Sequence, residues 1–363
     1  MTDREIRDIG RICIVACGSS YHVGMVGKYT LERLLRRPVE VCLASEFRYS
    51  DPLVGEGDLV IVISQSGETL DSMAALREAK KRGARVLSIV NVVGSSIARE
   101  SDDVLYTWAG PEIAVATTKA YSTQMVVLHL LGLYFGDVMG TVDLETYSAM
   151  VRGIEALPGQ MEQVLEHTED IRAAAKWLAG EEDVFFLGRN LDYALSLEGS
   201  LKLKEISYIH SEAYASGELK HGTISLIREG TPVIAVATYL PLLDKAVSNV
   251  VEVQARGARV LDATCPHVLR IHRLVERAEQ EGRTPLIIGE DHPPEVIAAA
   301  SRSSRSVVLG NTEELAEWLA AVPVRRTERL LAVAQTTCIR SIWEKCVNFL
   351  KKECTNAEIF DTI

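Results

Sequence analysis

Short apolar runs alternate with longer segments of helical periodicity along the first 140 residues. Apolar residues follow one another in most of these runs without alternating with polar ones, which is typical of strands buried on both faces of a parallel sheet. This alternation predicts an α/β sandwich, in which helices cover both faces of the sheet. The predicted strands are 11–17, 39–44, 58–64, 85–91 and 103–108, and the predicted helices are 24–37, 69–83 and 118–139.

The same rhythm restarts after residue 180. EGTPVIAVA at 229–237 follows EGDLVIVIS at 56–64 by 173 residues, and Gly188 follows Gly18 by 170. Two landmarks at nearly one offset indicate a duplicated domain. The sequence therefore predicts a first copy at 1–140, an acidic helical linker at 141–180 and a second copy at 181–260. Its predicted elements are a strand at 183–189, a helix at 196–210 and a strand at 229–237.

Residues 261–363 keep the α/β rhythm but do not repeat the first copy. This predicts a small α/β lobe of its own. Thr312 is the predicted N-cap of one of its helices. The predicted elements are helices at 267–282, 312–322 and 339–354 and strands at 284–289, 306–310 and 330–337.

The 363-residue chain has a formal net charge of −11. This charge argues against nucleic-acid binding, which needs a basic surface. The N-terminal MTDREIRDIGR contains no apolar signal core, and no apolar run reaches the length of a membrane span. The seven cysteines are scattered, as reduced thiols are. We therefore expect a cytoplasmic protein that binds neither nucleic acid nor membrane.

SQSGET at 64–69 follows a predicted strand and opens a predicted helix. Gly67 permits a tight turn, and the helix start offers free N–H groups and the positive end of the helix dipole. Hydroxyl groups also follow two other strands, in GSS at 18–20 and in VATTK at 115–119. Because the carboxyl ends of parallel strands form the ligand crevice, these segments predict a polyol-phosphate site. Taken alone, SQSGET also fits a simple turn with a helix cap.

Longer motifs occur in order between about residue 11 and about residue 260: ACGSSYHVGMVGKY, ASEFRY, SQSGETLDSM, NVVGSSIARESD, EIAVATTKAYSTQ and ALSLEGSLKLKEISYIHSEAYASGELKHG. Together they resemble the isomerase part of the glutamine–fructose-6-phosphate aminotransferase (glucosamine-6-phosphate synthase) family, which contains two SIS (sugar isomerase) domains. The resemblance implies tandem SIS-type three-layer α/β sandwiches. It also implies a hexose 6-phosphate ligand, either fructose 6-phosphate or glucosamine 6-phosphate, aldose–ketose isomerisation and no cofactor.

The resemblance further implies roles for single residues. Glu205 matches the carboxylate that moves a proton between sugar C1 and C2, and Lys202 matches a nearby catalytic lysine. His221 matches the histidine of sugar-ring opening, which in the family comes from the partner subunit of a homodimer. The family usually has Ser where Thr117 stands. The implied sugar-phosphate contacts are Ser20, Ser64, Gln65, Ser66, Thr69, Val115 and Thr117.

Without the resemblance, Lys202 to Glu205 is typical of a charged helix face, and a lone His221 is more often structural. The chemistry agrees with the implied roles, because an enediol mechanism needs one base that takes and returns a proton, as Glu205 can. The chain starts close to the first strand of the isomerase part and has no N-terminal Cys nucleophile. Glutamine-dependent amination is therefore not expected from this chain alone.

The segments VLDATCPHVLRIHRLVERAEQEGRTPLIIGEDHPPEV and AQTT…EIFDTI resemble the middle lobe of hydroxymethylbutenyl diphosphate reductases. That iron–sulfur family has three lobes with one Cys ligand each. Over 261–363, Cys265 matches one ligand and Glu295 matches the family's proton-delivering glutamate. The QTT loop near the diphosphate is matched by Gln335, Thr336 and Thr337. No match to the other two ligands occurs in this chain, so no metal is expected, and ARGARVLDATCP at 255–266 is the predicted seam.

Three functions stay open at this point: a sugar-phosphate isomerase, a sugar-phosphate-binding module without turnover, and a fragment of the reductase joined to either. The remaining cysteines fit packed thiols better than a rescued cluster, because cluster ligands are usually closer in sequence. In the tail, consecutive cysteines are eight residues apart, at Cys338, Cys346 and Cys354. In the first domain, Cys13, Cys17 and Cys42 are expected to lie beside its site.

Overall fold

The computed structural model describes residues 1–166, 168–262, 266–289, 296, 299–300, 302–335 and 338–362. These residues form three parallel sheets with helices between the strands, which confirms the predicted α/β class. The chain divides into two compact units. One comprises 1–157, 169–236 and 248–261, and the other comprises 158–168, 237–247 and 262–363. No helix in the described part is long and apolar enough to cross a membrane.

The first sheet follows the predicted strands closely. Its strands are β1 (Arg11–Ala16), β2 (Val39–Leu43), β3 (Asp58–Ser64), β4 (Arg85–Val90) and β5 (Asp103–Tyr106). They pair in parallel in the order β2-β1-β3-β4-β5. The accompanying helices are α1 (Asp3–Arg7), α2 (Gly18–Leu35), α3 (Ala44–Phe47), α4 (Leu70–Lys81), α5 (Ser96–Glu100) and α6 (Lys119–Met139).

Strand β1 is apolar from Ile12 to Ala16, where both of its faces are buried. Ile12 and Ile14 enter one core, while Cys13 and Val15 enter the core on the opposite face. Successive side chains of a strand point to opposite faces, so the run serves both cores. Full burial of an Ile or Val side chain contributes about 1.5–3 kcal/mol. Apolar burial on both faces therefore stabilises the sheet.

The second sheet lies in the same compact unit as the first. Its strands are β6 (Asp183–Gly188), β7 (His210–Ala215), β8 (Pro232–Ala235) and β9 (Arg259–Asp262), in the order β7-β6-β8-β9. The helices from Leu144 to Gln254 are α7 (Leu144–Glu166), α8 (Glu169–Leu178), α9 (Leu191–Ser207) and α10 (Leu243–Gln254). Short 3₁₀ helices cover Ser216–His221, Thr223–Leu226 and Leu240–Leu242.

The two sheets share one strand order, which supports the predicted duplication. In each, the first strand lies between the second and the third, as β2-β1-β3 and as β7-β6-β8. The repeated segments EGDLVIVIS and EGTPVIAVA contain β3 and β8, which occupy the same place in their sheets. Of the predicted seam, RVLD forms β9 at the edge of the second sheet, while 263–265 lie outside the described residues.

Two helices differ from the sequence prediction at their ends. Helix α2 begins at Gly18, so the GSS segment is the first turn of a helix and not a loop. Cys17 is extended and Gly18 has a φ of 54°, which lets the chain pass directly from β1 into α2. Helix α9 starts before residue 196 and ends at Ser207, because Tyr208 adopts the left-handed conformation. Strand β7 follows it and was not predicted.

The third sheet belongs to the other compact unit. Its strands are β10 (Thr284–Ile288), β11 (Val307–Leu309), β12 (Leu330–Ala334) and β13 (Ala357–Phe360), in the parallel order β11-β10-β12-β13. Its helices are α11 (Pro266–Gln280), α12 (Thr312–Ala321) and α13 (Arg340–Glu353), with a 3₁₀ helix at Pro323–Arg326.

The N-cap predicted for α12 is wrong by one residue. Asn311 is the cap, and its side-chain oxygen accepts a 2.9 Å hydrogen bond from the Glu314 N–H. Cys338 and Cys346 are buried in the apolar core of this sheet, and Cys354 packs against that core. These thiols therefore behave as small core side chains.

Candidate functional site

The carboxyl ends of β1 and β3 define a crevice in the first sheet. These strands are neighbours, yet the chain leaves β1 toward β2 on one side and leaves β3 toward β4 on the other. Connections that diverge in this way open a crevice, where α/β proteins bind ligands. The first turn of α2 and the SQSGET segment follow the two strands and border this point.

The SQSGET segment folds as a compact hydroxyl-lined turn. Ser64 is 3% exposed, and its Oγ lies 3.0 Å from Thr69 Oγ1. The Gly67 N–H donates to Ser64 Oγ at 3.0 Å, and the Glu68 N–H donates to Ser66 Oγ at 3.2 Å. Thr69 is the N-cap of α4 but makes no capping hydrogen bond with its side chain. The hydroxyls therefore gather beside the positive end of α4, where an anion is favoured.

Gly67 cannot be replaced in this turn without displacing its neighbours. Its φ is 66°, and an added Cβ would lie 2.0 Å from Ser95 Oγ. The main chain is also tied to the next connection, because the Asn91 N–H donates to Gln65 O at 3.1 Å and the Ile97 N–H donates to Gly67 O at 3.0 Å. The Gln65 side chain is half-buried. The turn is therefore preformed by its own backbone.

Ser20 lies in the first turn of α2 and is held from α6. Its Oγ donates to Gln124 Oε1 at 3.1 Å. Gln124 is only 1% exposed, and its Nε2 has no hydrogen-bond partner among the described residues. A buried amide N–H₂ without a hydrogen-bond partner destabilises the folded state. A ligand oxygen that accepts its hydrogen bond would therefore bind favourably here.

Val115 and Thr117 lie in the segment between β5 and α6. The Val115 side chain is 93% exposed. The Thr117 hydroxyl donates to Glu112 Oε2 at 2.9 Å, and this hydrogen bond lowers the pKa of Glu112. Neither residue is hydrogen-bonded to the SQSGET turn in the described structure. Their predicted contact with a sugar stays a prediction.

Helix α9 places three charged residues on one face. Glu198, Lys202 and Glu205 follow the spacing i, i+4, i+7, which brings side chains into contact on a helix. Lys202 Nζ donates to Glu205 Oε2 and lies 3.5 Å from Glu198 Oε1. The two predicted catalytic side chains are therefore in direct contact.

The same face of α9 contacts α2, the helix whose first turn borders the crevice. His22 Nδ1 lies 2.7 Å from Glu198 Oε2, and His22 is two residues after Ser20. Glu198 is 6% exposed and faces Tyr121, whose OH is buried and has no partner among the described residues. Burial and then the Glu198 charge raise the pKa of Tyr121. A continuous series of contacts thus runs from His22 through Glu198 and Lys202 to Glu205.

His22, Tyr121, Gln124 and Glu198 were missed by the sequence reasoning. The spacing of Glu198 from Lys202 and Glu205 was a usable signal, because it places all three on one helix face. The other three meet their partners across about 80 to 180 residues of sequence, and no local pattern encodes such a contact.

His221 ends the 3₁₀ helix Ser216–His221 and is exposed. It lines an open groove together with Glu218 and Thr223. It makes no hydrogen bond or ion pair with any residue that the structure describes. The fold of one chain therefore leaves the imidazole available, and does not join it to the Lys202–Glu205 pair.

Most of the tail residues that match the reductase family are not among the residues that the structure describes. Cys265, Glu295, Thr336 and Thr337 lie outside the described residues. Gln335 directly follows β12 and is 3% exposed, and its N–H donates to Ile288 O at 2.8 Å. Their predicted roles stay predictions.

Comparisons with known proteins point to two families. A SIS domain family model matches residues 5–134, and a LytB protein family model matches residues 213–363. Glutamine–fructose-6-phosphate aminotransferase [isomerizing] of Clostridium tetani is 55% identical over 278 residues, which is 77% of this chain and 46% of that protein. The protein of the same name from Symbiobacterium thermophilum is 58% identical over 257 residues, or 71% of this chain and 42% of that protein.

A solved structure resembles almost the whole chain. The C-terminal domain of glucosamine-fructose-6-phosphate aminotransferase from Francisella tularensis is 32% identical with a TM-score of 0.70. The match covers 97% of this chain and 86% of that one. By contrast, the chain spans less than half the length of the two full-length relatives.

Proposed function

The chain belongs to the family of SIS-domain proteins that includes the C-terminal domain of glucosamine-fructose-6-phosphate aminotransferase, and we propose that it binds a hexose 6-phosphate in the crevice and interconverts its ketose and aldose forms. The observation that carries this proposal is the hydroxyl-lined SQSGET turn at the start of α4. It is supported by the contact between Lys202 and Glu205.

The phosphate is proposed to bind the turn. Ser64, Ser66 and Thr69 supply hydroxyl groups, and the start of α4 supplies N–H groups and a favourable dipole. No Lys is needed, since backbone and hydroxyl donors suffice for a dianion at a helix N-terminus. The sugar then extends toward Ser20 and Gln124, where the unpartnered amide nitrogen of Gln124 can donate to a sugar oxygen.

Glu205 is proposed to carry the proton transfer. From fructose 6-phosphate it removes the C1 proton, which gives an enediol, and it returns that proton to C2 while a proton passes between O2 and O1. No atom is gained or lost. Lys202 stabilises the ionised carboxylate before it removes the C1 proton and after it returns that proton to C2, by its hydrogen bond. Glu198 and His22 position Lys202 from the buried side.

We further propose a homodimer in which the partner's His221 opens the sugar ring. The support is that His221 is exposed and unbonded within its own described chain. A ring-opening group has to exchange a proton with the ring oxygen, and an imidazole is suited to this near neutral pH. Each site would then need both subunits.

The first test is a thermal-shift titration with fructose 6-phosphate, with unphosphorylated fructose as the control. A midpoint that rises only with the phosphorylated sugar is expected, because a ligand that binds the folded state stabilises it. Thr69→Ala removes a proposed phosphate contact and should weaken binding by about 1–3 kcal/mol. Thr327→Ala is the matched control, because Thr327 is exposed, belongs to none of the crevice segments and should leave binding unchanged. Unchanged affinity in Thr69→Ala would refute the phosphate site.

The second test mixes two inactive variants, Glu205→Gln and His221→Ala. A mixed dimer places a native Glu205 opposite a native His221 of the partner in one of its two sites. Isomerisation of fructose 6-phosphate should therefore reappear when the variants are co-expressed. If the mixture stays as inactive as its components, His221 does not act across subunits.

The LytB match favours one further candidate, a tail that retains part of an iron–sulfur reductase. The chain alone offers Cys265 as the matching ligand, and one thiolate does not hold a cluster that needs one from each of three lobes. Anaerobic reconstitution with iron and sulfide distinguishes the two functions. A stable brown chromophore that is lost in Cys265→Ser would support an iron–sulfur cluster in the tail. In a separate assay, binding of fructose 6-phosphate without turnover would identify a binding module.

A further inference from the structure

Two thiols and a carboxylate meet on one face of the first sheet. Cys13 lies in β1, and Glu40 and Cys42 lie two residues apart in the neighbouring β2. Cys13 pairs in register with Glu40, so all three side chains project from the same face. Cys13 Sγ lies 3.8 Å from Cys42 Sγ, and the three potential ligand atoms are all within 4.8 Å of one another.

This spacing matches the edge of a metal coordination tetrahedron. Two thiolates bound at about 2.3 Å to one tetrahedral Zn²⁺ ion lie about 3.8 Å apart. A carboxylate oxygen completes a third vertex at about 2.0–2.2 Å from the ion. We propose that Cys13, Cys42 and Glu40 form a binding site for a thiophilic divalent cation of the Zn²⁺ type.

Burial and access differ among the three side chains in a way that suits such a site. Cys13 is 1% exposed, Cys42 is half-buried and Glu40 is exposed. Strand β2 is the edge strand of its sheet, and its Cys42 and Glu40 side chains are the members of the group that an ion can reach from solvent. The exposed Glu40 side chain is free to turn toward the ion, and water can occupy the fourth position. Two backbone-fixed thiols with one adjustable carboxylate give the site a rigid base and an open side.

The surrounding charges also fit a cation. The nearby Arg11 is already paired with Asp58 at 2.8 Å, so its charge is largely balanced. Two thiolates and one carboxylate carry three negative charges, and an ion of charge +2 neutralises two of them.

The site is separate from the proposed sugar crevice. Cys13 lies in the first half of β1, and the crevice opens beyond Ala16 at its carboxyl end. Cys17 is on the crevice side and is not part of the three-ligand group. Metal binding therefore does not depend on the proposed isomerase activity, and the two proposals fail or succeed separately.

The test is titration of the reduced, metal-free full-length chain with Co²⁺ under anaerobic conditions, followed by displacement with Zn²⁺. A tetrahedral thiolate site gives a sulfur-to-cobalt charge-transfer band and intense visible bands, with one ion bound per chain. Cys42→Ser should weaken Co²⁺ binding by more than about 100-fold, since loss of even a supporting outer group costs about 10–100-fold. Glu40→Gln should keep the sulfur band and weaken binding about 10-fold.

Cys17→Ser and Cys354→Ser are the matched controls, because each removes a half-buried thiol outside the proposed ligand set. Both should bind Co²⁺ like the unmodified chain. Since Cys13→Ser changes a core residue, a second readout uses no variant: Zn²⁺ should slow alkylation of Cys42, mapped by mass spectrometry. No charge-transfer band, or a band that survives in Cys42→Ser but vanishes in Cys17→Ser, would overturn the site.

Discussion

Replacement of Gly67 by Ala tests the structure of the SQSGET turn most directly. An alanine at a φ of 66° costs about 1–2 kcal/mol by itself. Its Cβ would also lie 2.0 Å from Ser95 Oγ and 2.5 Å from Ser95 Cβ. Overpacking of this kind costs about 1–3 kcal/mol. We therefore expect Gly67→Ala to lower the local free energy of opening by about 2–5 kcal/mol and to abolish the fructose 6-phosphate thermal shift.

Gly94 provides the matched control for the backbone contribution. Its φ is 70°, yet an added Cβ would meet nothing within 4 Å. Gly94→Ala should therefore cost only the left-handed conformation, about 1–2 kcal/mol. Ser95→Gly should relieve the steric part in the Gly67→Ala background, because it removes both clashing atoms. The expected coupling energy between the two substitutions is about 1–3 kcal/mol.

Hydrogen exchange read by mass spectrometry on peptides spanning β3 and α4 measures the local opening free energy without assuming that the whole chain unfolds in one step. The steric argument is refuted if Gly67→Ala and Gly94→Ala show equal losses. It also fails if Ser95→Gly gives no rescue in the Gly67→Ala background.

Two further predictions concern buried polar groups. Tyr121→Phe removes a buried hydroxyl that has no partner in the described structure. The thermal midpoint of unfolding should therefore rise or stay unchanged. Hexose phosphate binding should fall if this hydroxyl contacts the sugar. Burial acts to raise the pKa of Asp103, but hydrogen bonds from Arg85 and the Met1 amino group outweigh it and hold that pKa below its usual value. Asp103 therefore contributes stability above about pH 4 that is lost as the pH falls through its folded-state pKa. Asp103→Asn should lower the urea midpoint at pH 7, and the gap to the unmodified chain should close in acid; a gap independent of pH would contradict this.

The apolar runs predicted most of the first sheet because burial on both faces leaves a strong local signature. Strand β3 has the predicted bounds, and the hydroxyls of Ser64 and Thr69 do converge. The start of α2 was missed because a Gly-Ser-Ser segment is typical of a loop, and only the left-handed Gly18 shows that the helix begins there. Strand β7 was missed because its sequence, HSEAYA, mixes polar with apolar residues and is only partly buried, so it lacks a continuous apolar run.

The acid–base group could be predicted only in part. Lys202 and Glu205 share a helix, so their contact follows from spacing. The contact between His22 and Glu198 joins residues 176 apart in sequence and depends on how two helices pack. The paired thiols of β1 and β2 depend in the same way on strand register, which places Cys13 opposite Glu40.

The shared strand order gives this contact a particular origin. Helix α2 follows the first strand of one copy, α9 follows the first strand of the other, and the two equivalent helices pack against each other. The hydroxyl-lined turn thus belongs to one copy and the carboxylates to its duplicate, with His22 and Glu198 at the junction. In the proposed function, the first copy binds the phosphate and the second copy supplies the proton-transfer group. On that proposal, a chain cut between the copies should yield one piece that contains the phosphate-binding turn but cannot isomerise, and one piece that contains Lys202 and Glu205 but cannot bind the phosphate.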